Sequence, residues 1–397
     1  MKLLFVADGR SPIASNWIAY FVERGHEVHL ASTYPCAPAL RLASLTVIAV
    51  AGGDLAAPSV VGRRAWLRRL VPVGWRTQAR RFLAPLTLAR AAPRLRRLAA
   101  ALQPDLIHAM RIPYEGMLAA RALALPVSRP APPLLVSVWG NDFTLHAPAA
   151  PWMAALTRTT LQHAAALHTD CHRDQRLARQ WGFDGAKPTI VLPGGGGVQL
   201  DVFYPSPAAF PGQEDRAESG GVVINPRGVR AYIRNDVFFR AIPLVLQRQP
   251  NTRFLCPAMA GENQAERWLR TLGIAAAVEL LPRQTRPQMA ELFRQAQVAV
   301  SPAVHDGTPN TLLEAMACGC YPIAGDIASL REWIIPGVNG SLVAADDPAA
   351  LAETILQALQ NPALRASAAA HNLDLIRTKA EYGVVMAQAE HFYASLN

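Results

Sequence analysis

Lysine is the scarcest charged residue of this 397-residue chain, with Lys2, Lys187 and Lys379 the only three. Chemistry that needs a lysine anywhere between Lys187 and Lys379 has none to draw on. Long hydrophobic runs are missing as well, since no apolar stretch approaches the roughly 18 to 20 residues of a membrane span. The cysteines (Cys36, Cys171, Cys256, Cys318 and Cys320) show neither zinc spacing nor a C-x-x-C pair, which reads as reduced thiols in a cytoplasmic protein. With no D-x-D triplet and no His/Cys cluster, neither a metal nor any other cofactor is expected. The opening MKLLFVADGR lacks a small-residue cleavage site and meets Asp8 at once, so it reads as a first strand, not a signal peptide.

Acids are absent from one long stretch. Between Leu55 and Pro104 lie eleven arginines and no Asp, Glu, Lys or His, so the whole formal excess of +10 sits there. Trp66, Leu67, Leu70, Val71, Trp75 and Phe82 interleave with these arginines. Residues 63–97 therefore suit an anionic membrane surface, with aromatics at headgroup level. That places the protein in the cytoplasm, peripheral at the inner face of the plasma membrane. Charge alone would also fit nucleic acid, but no binding module accompanies it, and no nucleic-acid partner is expected.

What is present is a repeated β-α pattern. Strands are expected at Leu3–Ala7, Glu27–Ala31, Leu106–Ala109 and Leu134–Val138. After the glycine run LPGGGGVQL a second series follows at Val222–Asn225, Arg253–Cys256, Val278–Leu281, Val298–Ser301 and Tyr321–Ala324. Short apolar runs separated by helices imply parallel sheets covered on both faces. The fold class is α/β, with two Rossmann-like doubly wound domains and a ligand cleft at the carboxyl ends of their strands. The expected domains are residues 1–205, to which 378–397 return, and residues 206–377.

The richest constellation is SPAVHDGTPNTLLEAMACGCYPIAGD, from Ser301 to Asp326. A strand ends near Ser301, Thr308 is a candidate N-cap, Pro309 suits the first helical turn and Gly319 stops the helix. The free N–H groups and dipole of that helix form an anion site suited to a diphosphate. Asp306 precedes the helix and Glu314 lies within it, eight positions on. Carboxylates do not bind phosphate, but two flanking it accept hydrogen bonds from sugar and ribose hydroxyls.

HDGTPNTLLEAMACGCYPIAG resembles the acid-x7-Glu signature of the retaining family 4 glycosyltransferases (glycosyl transferase group 1), which have the GT-B fold. KLLFVAD with RGHEVHLAS, PDLIHAMR, VSVWGNDF, VLPGGGGVQLDVFYP and VELLPRQTRPQMAELFRQAQVAVSPA resemble further landmarks of the family, in the expected order. The family usually begins its signature with Glu, where this chain has Asp306. By this resemblance the backbone of Gly307, Thr308, Pro309, Asn310 and Thr311 holds the donor diphosphate, Glu314 the ribose, and Asp306 the sugar hydroxyls, with Leu312 a further substrate-binding candidate. Pro282 and Arg283 lie where the nucleotide base is held. Arg227 matches the family arginine that neutralises the leaving diphosphate, while Ile233 falls near the expected lysine, so Arg230 or Arg234 must substitute. Gly9 and Ser11 occupy the family's first glycine-rich loop, though only Gly9 remains of that composition. Trp139 stands where many members have histidine, leaving Asn141 and Asp142 as acceptor contacts, and His108 is a further candidate lining the cleft.

The implied activity is transfer of a hexose-type sugar, with retention, from a nucleotide-diphosphate sugar to a glycan or lipid-linked acceptor. The resemblance places it in cell-surface polysaccharide or glycolipid biosynthesis. It also implies that the C-terminal helix crosses back to the first domain and that domain closure completes the site. Alternatives are a nucleotide-sugar 2-epimerase and a non-catalytic sugar-binding or scaffold subunit. A pyridoxal-dependent phosphorylase would need a cleft lysine, and the three lysines are poorly placed for one.

Overall fold

The computed structural model describes residues 1–50, 73–126, 131–206 and 220–396. Two compact units divide the chain. Unit 1 comprises Met1–Gly196 and Met386–Asn397, and unit 2 comprises Gly197–Val385. The division falls a little before the expected 205/206 boundary, and the returning segment begins at Met386, later than the expected 378.

Unit 1 holds strands β1 (Lys2–Ala7), β2 (Glu27–Ser32), β3 (Ser44–Val47), β4 (Leu106–Ala109), β5 (Leu134–Val138), β6 (Ala166–Thr169) and β7 (Thr189–Val191). They form one parallel sheet in the order β3-β2-β1-β4-β5-β6-β7. Its helices are α1 (Pro12–Glu23), α2 (Val73–Leu102), α3 (Met117–Leu123), α4 (Pro151–His163) and α5 (His172–Gln180). Strands such as LIHA and LLVSV are buried at every residue because helices cover both faces. The chain first builds outward from β1 to β3 and then restarts at β4, so the topological switch lies between β1 and β4.

Unit 2 repeats the plan with β8 (Val222–Ile224), α6 (Asn235–Arg248), β9 (Arg253–Cys256), α7 (Asn263–Leu272), β10 (Val278–Leu280), α8 (Arg286–Gln295) and β11 (Val298–Ser301). Then come α9 (Asn310–Ala317), β12 (Tyr321–Gly325), β13 (Ser341–Val343), α10 (Pro348–Gln360), α11 (Pro362–Lys379) and α12 (Tyr382–Ala394), the last passing into unit 1. The order β10-β9-β8-β11-β12-β13 puts the switch between β8 and β11. Gly197, in the glycine run, has φ +89° and no room for a side chain, since a Cβ there would fall 2.2 Å from the Ala380 carbonyl oxygen.

The end of α12 is fastened to unit 1 by a buried polar chain whose proton order can be worked out. Leu192 O only accepts, so His168 Nε2 carries a hydrogen (2.9 Å) and its Nδ1 accepts from the Ser137 hydroxyl (2.8 Å). Ser137 Oγ in turn accepts from His108 Nε2 (2.7 Å), which leaves His108 Nδ1 to accept from the Tyr393 hydroxyl. Tyr393 then accepts from Trp17 Nε1 at 2.9 Å. Every group is satisfied with both imidazoles neutral. Burial, reinforced by His168 for His108, holds His108 well below its ordinary value, and burial holds His168 down at about 4. Tyr393 also stacks on Phe21 with ring centroids 4.5 Å apart, and Glu390 accepts from Tyr20, Arg24 and His26 at the rim.

The arginine-rich segment lies only partly within the described residues. Arg63, Arg64, Arg68 and Arg69 fall outside them. Towards its C-terminus α2 is two-faced: Leu88, Ala91, Ala92, Leu95 and Ala99 are buried, while Arg90, Arg94 and Arg97 are exposed at helical spacing. Arg96 departs from the solvated face, being 8% exposed. Among the described residues no helix is long and apolar enough to cross a membrane.

Candidate functional site

At the switch of unit 2 two loops meet over the carboxyl ends of β8 and β11. Val304 N donates to Tyr232 O (2.9 Å), which ties the β11–α9 loop to the β8–α6 loop. Asn225 and Asn235 shape the latter, their Oδ1 atoms accepting from the backbone N–H groups of Arg227 (3.4 Å) and Arg230 (3.2 Å). Both asparagines are buried, and the sequence reading missed both; the signal was polar residues at a strand end and a helix start, INP and RND. Gly325 lets the β11–α9 loop lie close to β12, because a Cβ there would fall 2.1 Å from the Ala303 carbonyl oxygen.

The structure brings Arg227 and Asp306 together as an ion pair, Nη1 to Oδ2 2.8 Å, with side chains only 12% and 14% exposed. Asp306 Oδ1 also accepts from Gly307 N (3.2 Å), and Ser329 Oγ donates to the Asp306 carbonyl at 2.7 Å. The helix that follows begins one residue later than expected. Pro309 occupies the cap position, and Thr308 is not the cap; its hydroxyl instead accepts from Trp333 Nε1 at 2.9 Å. Proline has no cap side chain to offer, so the first amides of α9 stay open. Among the described residues, Asn310 N and Thr311 N donate to no protein group. Gly307, Thr308 and Pro309 are buried, whereas Asn310, Thr311 and Leu312 are half-buried at the rim. The arrangement is an open helix start next to a half-buried arginine, a chemistry that can accommodate an anion.

Glu314 is half-buried one turn along α9, and its carboxyl makes no hydrogen bond or ion pair with the described residues. Burial raises it to about 7 against the opposing field of Arg286, which itself donates to Gln199 at 2.9 Å. Arg230 is exposed and its guanidinium meets the Tyr232 hydroxyl (2.9 Å). Arg234, with φ +54°, is instead held in a fork by Asp236, at 3.0 and 3.1 Å. Ile233 is fully buried and does not face the site. Pro282 and Arg283 are exposed, and Pro282 O accepts from Ala258 N and from Gln284 Nε2.

In unit 1 the expected contacts are largely internal. His108, a candidate cleft residue, is enclosed between Ser137 and Tyr393, and its placement is that of a core histidine. Asp142 is 1% exposed and its carboxylate is spent on Arg111 Nε (2.9 Å), Ile112 N and Trp139 N, while Asn141 accepts from Arg111 Nη2 at 2.8 Å. Gly9 is buried under Cys36, whose sulfur a Cβ would approach to 2.4 Å, and Ser11 caps α1 through Ala14 N. Close to the β1/β4 switch are two residues the sequence reading missed. Tyr114 adopts φ +72°, a strained conformation for a bulky residue. Glu115, raised to about 7 by burial, accepts from Thr33 Oγ1 at 2.7 Å. Asp170, Cys171 and Asp174 form a cluster of potential metal ligands, but Arg173 already supplies positive charge there, 2.7 Å from Asp174.

Residues 9–194 match the glycosyl transferase 4-like domain and residues 228–361 match glycosyl transferases group 1. The chain belongs to the group 1 glycosyltransferases. A D-inositol 3-phosphate glycosyltransferase of Nocardiopsis dassonvillei is 27% identical over 214 residues, covering 49% of this chain and 47% of that protein. The chain thus spans about half the length of the curated relatives it matches. Sucrose-phosphate synthase of Thermosynechococcus elongatus superposes with a TM-score of 0.75 at 17% identity, over 100% of this chain and 99% of that one. HepE of Anabaena, solved in complex with UDP, gives 0.71 at 16% identity over the full length of both chains. These neighbours share the fold: two all-parallel α/β domains of GT-B type.

For a group 1 glycosyltransferase, the residues of the acid-x7-Glu signature are those that converge here. Arg227, Asp306 and the start of α9 share one loop crossing, with Glu314 a turn further along the helix. His108, Asp142 and Gly9 are instead absorbed into unit 1's own packing.

Proposed function

We propose that this chain is a retaining glycosyltransferase that binds a nucleotide-diphosphate sugar in unit 2 and passes a hexose to a glycan or lipid-linked acceptor. The observation that carries this is the set of exchangeable groups at the β8/β11 switch. Open amides at Asn310 and Thr311 and the Arg227 guanidinium suit a diphosphate, while the unpartnered Glu314 carboxyl suits ribose hydroxyls. Open amides mark any helix start, so it is their combination with the half-buried Arg227 and Glu314 side chains that supports the reading. HepE of Anabaena has also been solved in complex with UDP-glucose, which makes uridine donors the first to try.

In the reaction the bond between the anomeric carbon and the leaving phosphate oxygen breaks, and the acceptor hydroxyl forms the new bond on the same face. Its proton passes to the departing phosphate, so no protein nucleophile is required. Arg227 and Arg230 stabilise the charge that develops on that phosphate. Arg230 takes the place of the usual lysine, because Arg234 is occupied by Asp236. Arginine suits the task, since its planar fork can hold two phosphate oxygens. The exposed Arg90, Arg94 and Arg97 on α2 suit an anionic membrane surface, where a lipid-linked acceptor would lie.

The test is binding and slow hydrolysis across UDP-, GDP- and ADP-sugars, comparing wild type with Glu314→Ala. Selective binding with nucleotide release, both lost in the variant, is the expected result. A folded protein that binds no member refutes the transferase reading and favours a scaffold. Binding with conversion to an epimer and no release would identify a 2-epimerase.

A further inference from the structure

We infer that Asp306 determines specificity for the intact donor over the free nucleoside diphosphate, by exchanging its ion pair with Arg227 for hydroxyls of the transferred sugar. This rests on the donor-site reading above. Arg227 and Asp306 lie 2.8 Å apart with 12% and 14% of their side chains exposed, so water replaces little of what either loses on separation. Neither can simply swing away with its loop. Asn225 holds the backbone of Arg227, while Ser329 and Gly307 hold both ends of Asp306.

A diphosphate seated on the open amides of α9 draws Arg227 from Asp306. The carboxylate then stands half-buried, without its cation and close to a new anion. A nucleotide sugar compensates, because its hexose brings hydroxyl donors to Asp306. A free nucleoside diphosphate brings none and carries an additional negative charge. The bound sugar therefore keeps the pair open, and its departure lets Arg227 and Asp306 close again and expel the diphosphate. The shorter Asp, in place of the family's Glu, keeps the carboxylate back against Arg227. Transfer and product release are thus coupled through one ion pair.

The experiment is calorimetric titration of wild type, Asp306→Asn and Asp306→Ala with UDP and UDP-glucose, or with the corresponding pair for whichever base the donor panel selects. Removing the carboxylate frees Arg227, so the free diphosphate should bind about tenfold more tightly to both variants while the nucleotide sugar gains nothing. The ratio of the two dissociation constants should fall by the same factor. An unchanged ratio, or weaker binding of the free diphosphate in both variants, overturns this role for Asp306 and leaves the donor site standing. Failure of wild type to bind any nucleotide overturns both.

Discussion

Replacing Tyr393 by Phe should loosen the C-terminal helix from unit 1 without disturbing its apolar packing. The ring would still stack on Phe21 at 4.5 Å, so the substitution removes one oxygen and little else. That oxygen accepts from Trp17 Nε1 and donates to His108 Nδ1, and Trp17, His108 and Tyr393 are each only 1% exposed. An indole N–H and an imidazole nitrogen are thereby left unsatisfied where water does not reach. At about 1–3 kcal/mol for each of the two orphaned groups, the expected loss is about 2–6 kcal/mol. Because the chain has two units, a global midpoint would mix their transitions, and amide hydrogen exchange in α12 is the sharper readout. Protection of α12 should drop by the equivalent of that energy at pH 7.5. Acid should reproduce the effect in the wild type. Both histidines are depressed in the folded state, so their contribution is present above the unfolded value near 6.5 and is lost as pH falls towards about 4. Protection of α12 that is unchanged in the variant, and flat between pH 7.5 and 5, would refute the assigned proton order.

Three further outcomes are expected. Glu314 is raised to about 7, so the folded state holds a proton that the unfolded chain releases above about 4.5, and stability falls as pH rises between these values. Glu314→Gln should lack that fall and gain in melting temperature relative to wild type from pH 5 to 8; parallel curves would contradict the burial of this carboxyl. Arg230→Ala should lower kcat/KM for the donor by about 10- to 100-fold, with a much smaller loss for Arg234→Ala, and the reverse ranking would move the role to Arg234. Co-sedimentation with phosphatidylserine vesicles should weaken in the triple variant Arg90→Glu, Arg94→Glu, Arg97→Glu and with added salt; equal binding to neutral vesicles would dismiss the electrostatic account.

The two parallel sheets were legible because each buried strand is a compact apolar word between turn signals, as in RFLC or VAVS. Strands β9 and β11 lie at the expected residues. The edge and short strands were not. SLTV, TIV and SLV carry three or four residues with little burial, and ALHT follows helix α4 with only Ala164 and Ala165 between them and no turn signal. The β11–α9 loop and its helix start could be located for a different reason: the residues concerned are neighbours in sequence, Asp306 to Glu314. What escaped were pairings over long separations. Nothing in PDLIHAMR says that His108 meets a tyrosine 285 residues away. Nor does NPRG say that Arg227 finds Asp306, or VWGNDF that Asp142 is consumed by Arg111.

The same topological position has been filled in opposite ways in the two units. At the β1/β4 switch of unit 1, Asp8 holds Arg10, and Asp142 with Asn141 holds Arg111. Asp142 is fully buried and also binds backbone amides, so releasing Arg111 would strand a charge in the interior. At the β8/β11 switch of unit 2, the Arg227–Asp306 pair is half-buried, and among the described residues two amides stay open and the Glu314 carboxyl has no hydrogen-bond partner. There the groups lie near enough to the surface for a ligand's own charges and hydroxyls to replace the partners they lose, as the proposed donor site would require.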